Sequence, residues 1–424
     1  MSLEVGKKAL DFLIANSGSR RNLEVDFFGG EPLMNWDVVK QLVAYGREQE
    51  KLHNKNFRFT LTTNGVLLND EVMEFCNKEM GNVVLSIDGR KEVHDHMRPF
   101  RKGAGSYDLI VPKFQKFAEL RHQDKYYVRG TFTHYNTDFA ADVLHLADLG
   151  FKQISVEPVV APPTEDYAIR EEDLPVIFEQ YDILAREMIK REKEGRGFNF
   201  FHFMIDLTGG PCVYKRLSGC GSGTEYLAVT PWGDFYPCHQ FVGQEDFCLG
   251  NVYEGVKKTE TVNEFKKCNV YSKKECSQCF ARFYCSGGCA ANSYNFTGKI
   301  NDVYEIGCKM QQKRIECALM IKEENRDMMK KKQSIIALVL AAIVTVLLGW
   351  TMIKGWGPTG TGSMKNINLG LDLSGGVSIT YQAVKDNPTD EEMSDTRYKL
   401  EQRAQQYSEE AQVYLQGDNR ITID

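Results

Sequence analysis

Seven cysteines of this sequence form one ordered pattern with the spacing of a metal-binding region. Twelve residues, Gly233 and four further residues separate Cys220 from Cys238. Two residues separate Cys276 from Cys279, five separate Cys279 from Cys285, and three separate Cys285 from Cys289. The seven are Cys220, Cys238, Cys276, Cys279, Cys285, Cys289 and Cys308. A CxxC turn lets two thiolates point at one metal centre, and soft thiolates select iron–sulfur clusters or zinc. The pattern therefore predicts metal ligation.

Two four-cysteine clusters need eight ligands, and Cys212 is the natural eighth because it lies shortly before Cys220. A spare thiol at Cys212 remains the alternative. For the whole set the alternative is a pair of four-cysteine zinc sites, which His239 beside Cys238 slightly favours. The other cysteines are not expected to be ligands: Cys76, Cys248, Cys268 and Cys317.

Composition and charge restrict the classes of function that are expected for this protein. The 424 residues include 12 cysteines, of which only Cys76 precedes residue 212. The formal net charge of -6 argues against a nucleic-acid partner. The N-terminus has no apolar signal segment, so the cysteine-rich part is expected in the reducing cytosol, where metal ligation is favoured over disulfides.

The elements that position these residues begin with alternating helical and strand patterns up to about residue 160, which indicate parallel βα units. The predicted strands are Leu23–Phe28, Phe57–Thr62, Val83–Ile87, Tyr127–Phe132 and Gln153–Val156. The predicted helices include Val38–Glu50, Asp138–Leu149 and Glu171–Glu194. Because parallel strands share one carboxyl edge, their end residues should meet there.

Three of these strand ends carry polar or glycine-rich turns. They are Asp26–Pro32, with the Gly29–Gly30–Glu31 triplet, Thr62–Gly65 and Ser86–Gly89. Paired glycines leave backbone groups open to a ligand, and a carboxylate such as Glu31 can bind an ammonium group. An ordinary structural turn is the alternative for each of them.

The cysteine pattern resembles the SPASM domain, which binds two auxiliary [4Fe-4S] clusters in peptide-modifying radical S-adenosylmethionine (SAM) enzymes. The resemblance implies that Cys220, Cys238 and Cys289, with Cys212 as fourth, hold the first cluster. It implies that Cys276, Cys279, Cys285 and Cys308 hold the second. No individual catalytic residue is predicted.

The strand-end turns resemble the SAM-binding edge of radical SAM enzymes. The resemblance implies that Glu31, after Gly29 and Gly30, holds the SAM amino group, and that Asn64, Ser86 and Asp88 line the cofactor edge. It implies that Arg98 contacts the SAM carboxylate, with an exposed helix-end arginine as the alternative. The CxxxCxxC loop that anchors the SAM-cleaving cluster does not occur in this sequence. The expectation is therefore a barrel that lacks its first strand and a chain without SAM-cleaving activity.

Residues 1–322 look most like the maturase of SCIFF peptides, on the stretches Asp26–Asn35 and Lys215–Trp232. The resemblance implies formation of a Cys-to-α-carbon thioether in a cysteine-rich precursor peptide, with a small electron donor such as ferredoxin or flavodoxin. Because the CxxxCxxC loop is missing, a non-catalytic iron–sulfur or zinc module that binds peptide or relays electrons stays open as an alternative.

The C-terminal part has a different character. Ser334–Ile353 is an uncharged apolar run of membrane-spanning length, and Lys330–Lys332 place its N-terminal side in the cytoplasm. The run Asn368–Val377 resembles the start of the translocase subunit SecD, which implies SecF and SecYEG as partners and an extracytoplasmic segment. Since the other SecD helices are missing, transport is not expected, and a fusion of neighbouring reading frames is the favoured interpretation.

The predicted architecture is α/β, with a cysteine-rich iron–sulfur domain, one transmembrane helix and a small α+β segment. The predicted domains are a partial radical SAM barrel (1–200), a SPASM domain (209–318), a charged linker (319–333), a transmembrane helix (334–353) and a SecD-like segment (354–424).

Overall fold

The computed structural model describes residues 1–207, 209, 212–359, 361–364 and 377–424. These residues divide into two compact units, Met1–Met328 and Met329–Asp424. The SecD-like run falls outside the described residues except for Val377. The five domain boundaries proposed from the sequence stay predictions.

The first unit is built on a six-stranded sheet in which the strands follow one another in chain order and every neighbouring pair is parallel. Its strands are β1 (Asn22–Phe27), β2 (Asn56–Thr63), β3 (Met80–Ser86), β4 (Tyr126–Phe132), β5 (Gln153–Pro158) and β6 (Asn199–Phe200). Within the described residues β1 pairs with β2 alone and forms an edge of the sheet. All the carboxyl ends of the strands therefore lie along one side.

Seven helices alternate with these strands. They are α1 (Leu3–Asn16), α2 (Trp36–His53), α3 (Asp70–Glu79), α4 (Lys91–Met97), α5 (Tyr107–Leu120), α6 (Phe139–Asp148) and α7 (Leu174–Lys193). The predicted α/β class with a parallel sheet is confirmed, and each predicted strand coincides with an observed one to within three residues at either end. Strand β6 was not predicted, because two residues are too few to show an alternating pattern.

The core of this unit lies between the sheet and its helices. Phe59, Leu61 and Leu85 of the sheet and Phe114 of α5 are fully buried. Gly65, just after β2, has φ +79° and faces the ring of Phe114, so a larger residue would meet both backbone strain and a clash. This packing fixes the turn that follows β2.

The cysteine-rich part of the unit contains only short elements. Its strands are β7 (Ala228–Val229), β8 (Asp234–Tyr236), β9 (Gly250–Asn251) and β10 (Gly255–Val256), which form an antiparallel sheet. Its helices are α8 (Val213–Ser218), α9 (Thr259–Lys267), α10 (Lys274–Ser277), α11 (Arg282–Cys285) and α12 (Ala290–Thr297), followed by α13 (Glu305–Lys354). The packed apolar cluster here has six buried members, Tyr236, Phe241, Phe247, Phe265, Ala291 and Ile300.

The second unit contains a helix long and apolar enough to cross a membrane, by length and composition alone, over Gln333–Lys354. Beyond it, β11 (Ile379–Gln382), β12 (Val413–Leu415) and β13 (Arg420–Ile423) form an antiparallel sheet with β13 in the centre. The helix Asp390–Ala404 accompanies this sheet, and Met393, Val413 and Ile421 form its small core.

Candidate functional site

The turn after β1 exposes backbone at the carboxyl edge of the sheet. Gly29 and Gly30 have φ of +88° and +57°, a region that favours glycine, and a side chain built on either would meet open space. The two glycines are therefore required by conformation rather than by packing. Their peptide groups stay open to a ligand.

Glu31 joins the ends of the first two strands. One carboxylate oxygen accepts hydrogen bonds from the backbone N–H of Leu33 (3.0 Å) and from the Thr63 hydroxyl (2.9 Å). The other accepts from the backbone N–H of Asn64 (2.7 Å). A carboxylate offers about four lone-pair positions, so acceptor capacity remains for a cationic group. The structure thus brings together Glu31 and Asn64, two residues predicted at the cofactor edge.

Asp88 and Arg98 bind each other at the end of β3. The Nε and one terminal nitrogen of Arg98 donate to the two Asp88 oxygens at 2.6 and 3.2 Å, and the Thr131 N–H donates to Asp88 at 3.0 Å. Asp88 is buried, whereas the Arg98 side chain is 37% exposed. Arg98 is therefore oriented by Asp88 while part of its guanidinium stays accessible. Ser86 ends β3 and lies in register with Arg129 of β4.

His94 stabilises the backbone around the Asp88–Arg98 pair through hydrogen bonds. Its Nδ1 accepts from the Asp88 N–H (3.3 Å), and its Nε2 lies 2.9 Å from the Ser106 hydroxyl, which donates to the Arg98 carbonyl (2.8 Å). These roles fit the neutral ring with its proton on Nε2. Burial lowers the pKa of His94 below its usual value, in agreement with that assignment.

Polar side chains that were not predicted as site residues also lie on the sheet. Arg129 of β4 donates to Glu157 of β5 at 2.7 Å. Desolvation raises the pKa of Asp26 on β1, and a hydrogen bond with Thr60 on β2 opposes that shift. Polar residues that interrupt apolar parallel strands were the signal available in the sequence.

The first cysteine set lies next to this strand edge. The rings of Phe28 and His239 are 5.0 Å apart between centroids. Burial, together with the charges of Cys238, Asp26 and Cys220, raises the pKa of Tyr226 to about 12. Because His239 follows Cys238 and its ring contacts that of Phe28, the two parts of the site are contiguous.

The thiols of Cys220, Cys238 and Cys289 interact with one another. Burial, together with the charges of Cys289 and Cys220, raises the pKa of Cys238 to about 11. Desolvation likewise raises the pKa of the Cys289 thiol, with a contribution from Cys220, although the residue as a whole is exposed. Cys220 also lines a cavity with Gly288 and Ala290, the residues on either side of Cys289, and the role of these cysteines as cluster ligands stays a prediction.

The second predicted set is also together. Burial raises the pKa of Cys308 to about 12, and the charges of Cys285, Cys276 and Cys279 follow as further causes. Burial raises the pKa of Cys285 as well, with Cys276 and Cys279 again contributing. These four thiols, drawn from residues 276–308, form a mutually interacting set.

Cys212 differs from the other predicted ligands. It is exposed at the start of α8, next to residues 210–211, which lie outside the described part. No interaction in the described residues places Cys212 in either set, so its role as eighth ligand stays a prediction. Cys268 was not predicted as a ligand, yet its thiol is within electrostatic reach of both Cys220 and Cys276.

The donor sets can be tested against a metal group. All twelve cysteines are described and free of disulfides. Among the described residues no three His, Cys, Asp or Glu side chains are close enough to hold a single metal ion. A four-iron cluster holds its thiolates farther apart than one ion does, and Gly287 and Gly288 (φ +89° and +77°) turn the backbone between Cys285 and Cys289. Two thiol sets with this spacing, whose residues range from exposed to buried, fit iron–sulfur clusters.

Comparisons with known proteins agree with the α/β fold of the first unit. Residues 4–147 match the model of the radical SAM superfamily. The serine-type anaerobic sulfatase-maturating enzyme of Bacteroides thetaiotaomicron is 25% identical over 329 residues, 70% of this chain and 76% of the relative. The radical SAM cyclopropyl synthase TigE of Paramaledivibacter caminithermalis is 21% identical over 288 residues, which span 64% of this chain and 55% of that enzyme.

A solved structure, native anSMEcpe with bound AdoMet and the Kp18Cys peptide, superposes with a TM-score of 0.61 at 18% identity, covering 77% of this chain and 91% of that one. At this identity the match shows the fold. Members of the radical SAM family use SAM and [4Fe-4S] clusters. The chain therefore carries a radical SAM domain in an α/β fold with a parallel sheet, and it is homologous to radical SAM maturases such as the sulfatase-maturating enzymes.

Proposed function

We propose that this chain derives from a radical SAM peptide maturase that forms Cys-to-α-carbon thioether bonds in a cysteine-rich, SCIFF-type precursor peptide. Two auxiliary [4Fe-4S] clusters are held by the two thiol sets. The observation that carries the proposal is the contact of the first set with the carboxyl edge of the parallel sheet, through the ring of His239, next to Cys238, on the ring of Phe28.

The breadth of the structural match supports this proposal. The match to the peptide-bound anSMEcpe structure covers 77% of the chain. The radical SAM model alone covers residues 4–147, so the similarity in fold extends past the sheet's first strands towards the cysteine-rich part. Of the relatives described above, one is a sulfatase-maturating enzyme and the other a cyclopropyl synthase.

In this proposal the residues at the strand ends orient the cofactor. Glu31, with its remaining acceptor capacity, binds the SAM ammonium group beside the open backbone of Gly29 and Gly30. Arg98, fixed by Asp88, binds the SAM carboxylate, and Asn64 and Ser86 line the same edge. In a complete maturase, SAM and its cluster would supply a radical that removes hydrogen from the peptide backbone, but this sequence has no CxxxCxxC loop to hold that cluster. The first thiol set, next to the same strand edge, is then the group that the thiol of the substrate peptide approaches.

Metal content tests the two thiol sets. The full chain, purified without oxygen, is expected to contain iron and sulfide for two clusters, and Cys285→Ala is expected to lose about half of the iron because one set loses a ligand. Cys248→Ala is the matched control, since Cys248 is a half-buried thiol of the same region outside both sets. Colourless protein with two zinc ions would instead favour the zinc alternative.

Catalysis is tested separately. Because the sequence has no CxxxCxxC loop, the chain with SAM and a reductant is expected to release no 5′-deoxyadenosine above background. SAM binding itself is expected to persist and to weaken in Glu31→Gln. Release of 5′-deoxyadenosine at the rate of a complete maturase would contradict this part of the proposal.

The missing loop also favours a second candidate function. Without it, the chain would act as an iron–sulfur module that binds a cysteine-rich peptide or relays electrons from ferredoxin or flavodoxin. Retention of a cysteine-rich peptide by the metal-loaded chain, with no SAM present, distinguishes this function from catalysis.

For the C-terminal unit we propose a SecD-like fragment anchored by Gln333–Lys354, with the enzyme part in the cytoplasm and the last segment outside it. The length and apolar composition of that helix support the proposal. Membrane fractionation tests it, and recovery wholly in the soluble fraction would contradict it. Partnership with SecF and SecYEG stays a prediction from the Asn368–Val377 run. Resequencing across codons 320–335 tests whether the two parts are one reading frame.

A further inference from the structure

Lys273 is unusual among the lysines of this chain because it is buried inside the cysteine-rich region. It is 2% exposed, whereas its neighbour Lys274 is exposed. Lysine is almost never fully buried unless it is paired, because removing an ammonium group from water is costly. A buried Lys273 therefore needs compensating groups close by.

The direct hydrogen bond of Lys273 compensates its charge only in part. Its Nζ donates to the Gly287 carbonyl at 2.9 Å. In the described part of the chain no carboxylate lies within ion-pair distance of this nitrogen. An ammonium has three donors, and one neutral carbonyl satisfies a single donor without balancing the charge.

Lys273 is also close to residues of both cysteine sets. It precedes Cys276 of the second set by three residues, and its Nζ bond holds the Gly287 carbonyl, which is two residues from Cys285 of the second set and from Cys289 of the first. Lys273 also lines a common cavity of about 30 Å³ with Cys220 and Cys268. Lys273 thus lies between the two sets and within reach of each.

We propose that Lys273 is a positioning residue whose buried positive charge sets the reduction potentials of both auxiliary iron–sulfur clusters. The inference rests on the proposed function, because it requires clusters in the two thiol sets. A cluster held by thiolates is an anion, and reduction adds a further negative charge. A fixed cation in a low-dielectric surrounding therefore stabilises the reduced form more than the oxidised form.

The same residue holds the turn between the two sets. Gly287 follows Cys285 of the second set and precedes Cys289 of the first, so the Nζ bond to its carbonyl ties the connecting backbone to the lysine. One side chain therefore contributes a charge and a fixed contact at the junction.

Reduction potentials measured by electron paramagnetic resonance on the anaerobic full chain test the inference. Lys273→Met keeps an unbranched side chain close to the length of the lysine stem and removes the ammonium charge, so the potentials of both clusters are expected to shift to more negative values. Lys274→Met is the matched control, because it removes an adjacent exposed charge, and its potentials are expected to equal those of the wild type.

The outcomes separate this inference from the proposed function. A wild-type protein without iron overturns both. Two clusters with the same potentials in Lys273→Met and in the wild type overturn the inference alone. If Lys273→Met does not retain its clusters, Lys273→Arg, which keeps the positive charge, decides between charge and shape. Clusters retained in Lys273→Arg support the role of the charge. Clusters lost in Lys273→Arg as well show that the shape of the lysine is required, and they overturn the role of the charge.

Discussion

The parallel-sheet region and the cysteine-rich region of the first unit are stabilised by different means. The sheet region buries complete aromatic and aliphatic side chains, such as Phe59, Phe114 and Leu85, between long elements. The cysteine-rich region has a packed cluster of six residues and strands of two or three residues. So small a core needs an additional cross-link, and the thiol sets are the groups that can provide one through metal. Burial of apolar side chains stabilises the parallel-sheet region, and metal ligation is expected to stabilise the cysteine-rich region.

Metal removal should separate the two regions most strongly. After treatment with a chelator under reducing conditions, the backbone amides of residues 259–300 are expected to lose their protection from hydrogen exchange, while those of β2, β3 and β4 keep theirs. Metal ligation contributes on the order of 10 kcal/mol in small domains that fold around a metal. Hydrogen exchange with mass spectrometry checks this, and equal protection in both regions after metal removal would contradict the comparison.

A cavity in the core should affect the sheet region. Phe114→Ala is expected to lower the free energy of unfolding of that region by about 3 to 5 kcal/mol, because a fully buried ring is lost. Leu109→Ala on the same helix is the control, since Leu109 is 44% exposed. Urea unfolding followed at the sheet amides measures both, and equal effects of the two substitutions would show that burial does not dominate there.

Acid should weaken the sheet region through His94. Because burial lowers the folded-state pKa of His94 below about 6.5, the neutral ring is favoured in the folded protein. Its contribution to stability is therefore complete above the unfolded-state pKa and is lost as the pH falls through that value towards the folded-state pKa. Protonation would also remove the bond from the Asp88 N–H.

His94→Gln is expected to cost about 1 to 3 kcal/mol at pH 8, as for a buried hydrogen bond that is lost, and to reduce the decline in stability between pH 7 and pH 5. Unfolding measured across that pH range tests the sign. His53→Gln, at an exposed position, should leave the pH dependence as it is.

Removal of a surface ion pair should have the smallest effect on the stability of the sheet region. Arg58 and Glu24 lie 3.2 Å apart across β1 and β2, with side chains 56% and 71% exposed. Glu24→Gln is expected to change the unfolding free energy by less than about 1 kcal/mol, because such pairs are screened by solvent. A larger loss, removed by added salt, would show that charge also holds the sheet region together.

The sequence predicted the elements whose pattern is local. Strand β2 was expected at Phe57–Thr62 and occurs at Asn56–Thr63, because its alternating apolar residues reflect burial directly. The grouping of Cys220, Cys238 and Cys289 as ligands was expected through the family resemblance rather than through periodicity, and it stays a prediction.

Contacts between distant residues could not be predicted in this way. Asp88 and Arg98 were both assigned to the cofactor edge, but nothing in their positions in the sequence indicated that they bind each other. The burial of Lys273 was equally hidden, since a lysine in a charged run ordinarily faces solvent. Such features depend on how the chain folds back on itself.

The unpaired side of β1 has a consequence for how this protein behaves in concentrated solution. An open strand edge presents free N–H and C=O groups and is a template for adding another strand, including one from a second copy. The six residues of β1 include two carboxylates, of which Glu24 pairs with Arg58, so the Asp26 carboxylates of two such edges repel each other when they approach. Self-association through this edge is therefore opposed, while a segment free of acidic residues could still add to it.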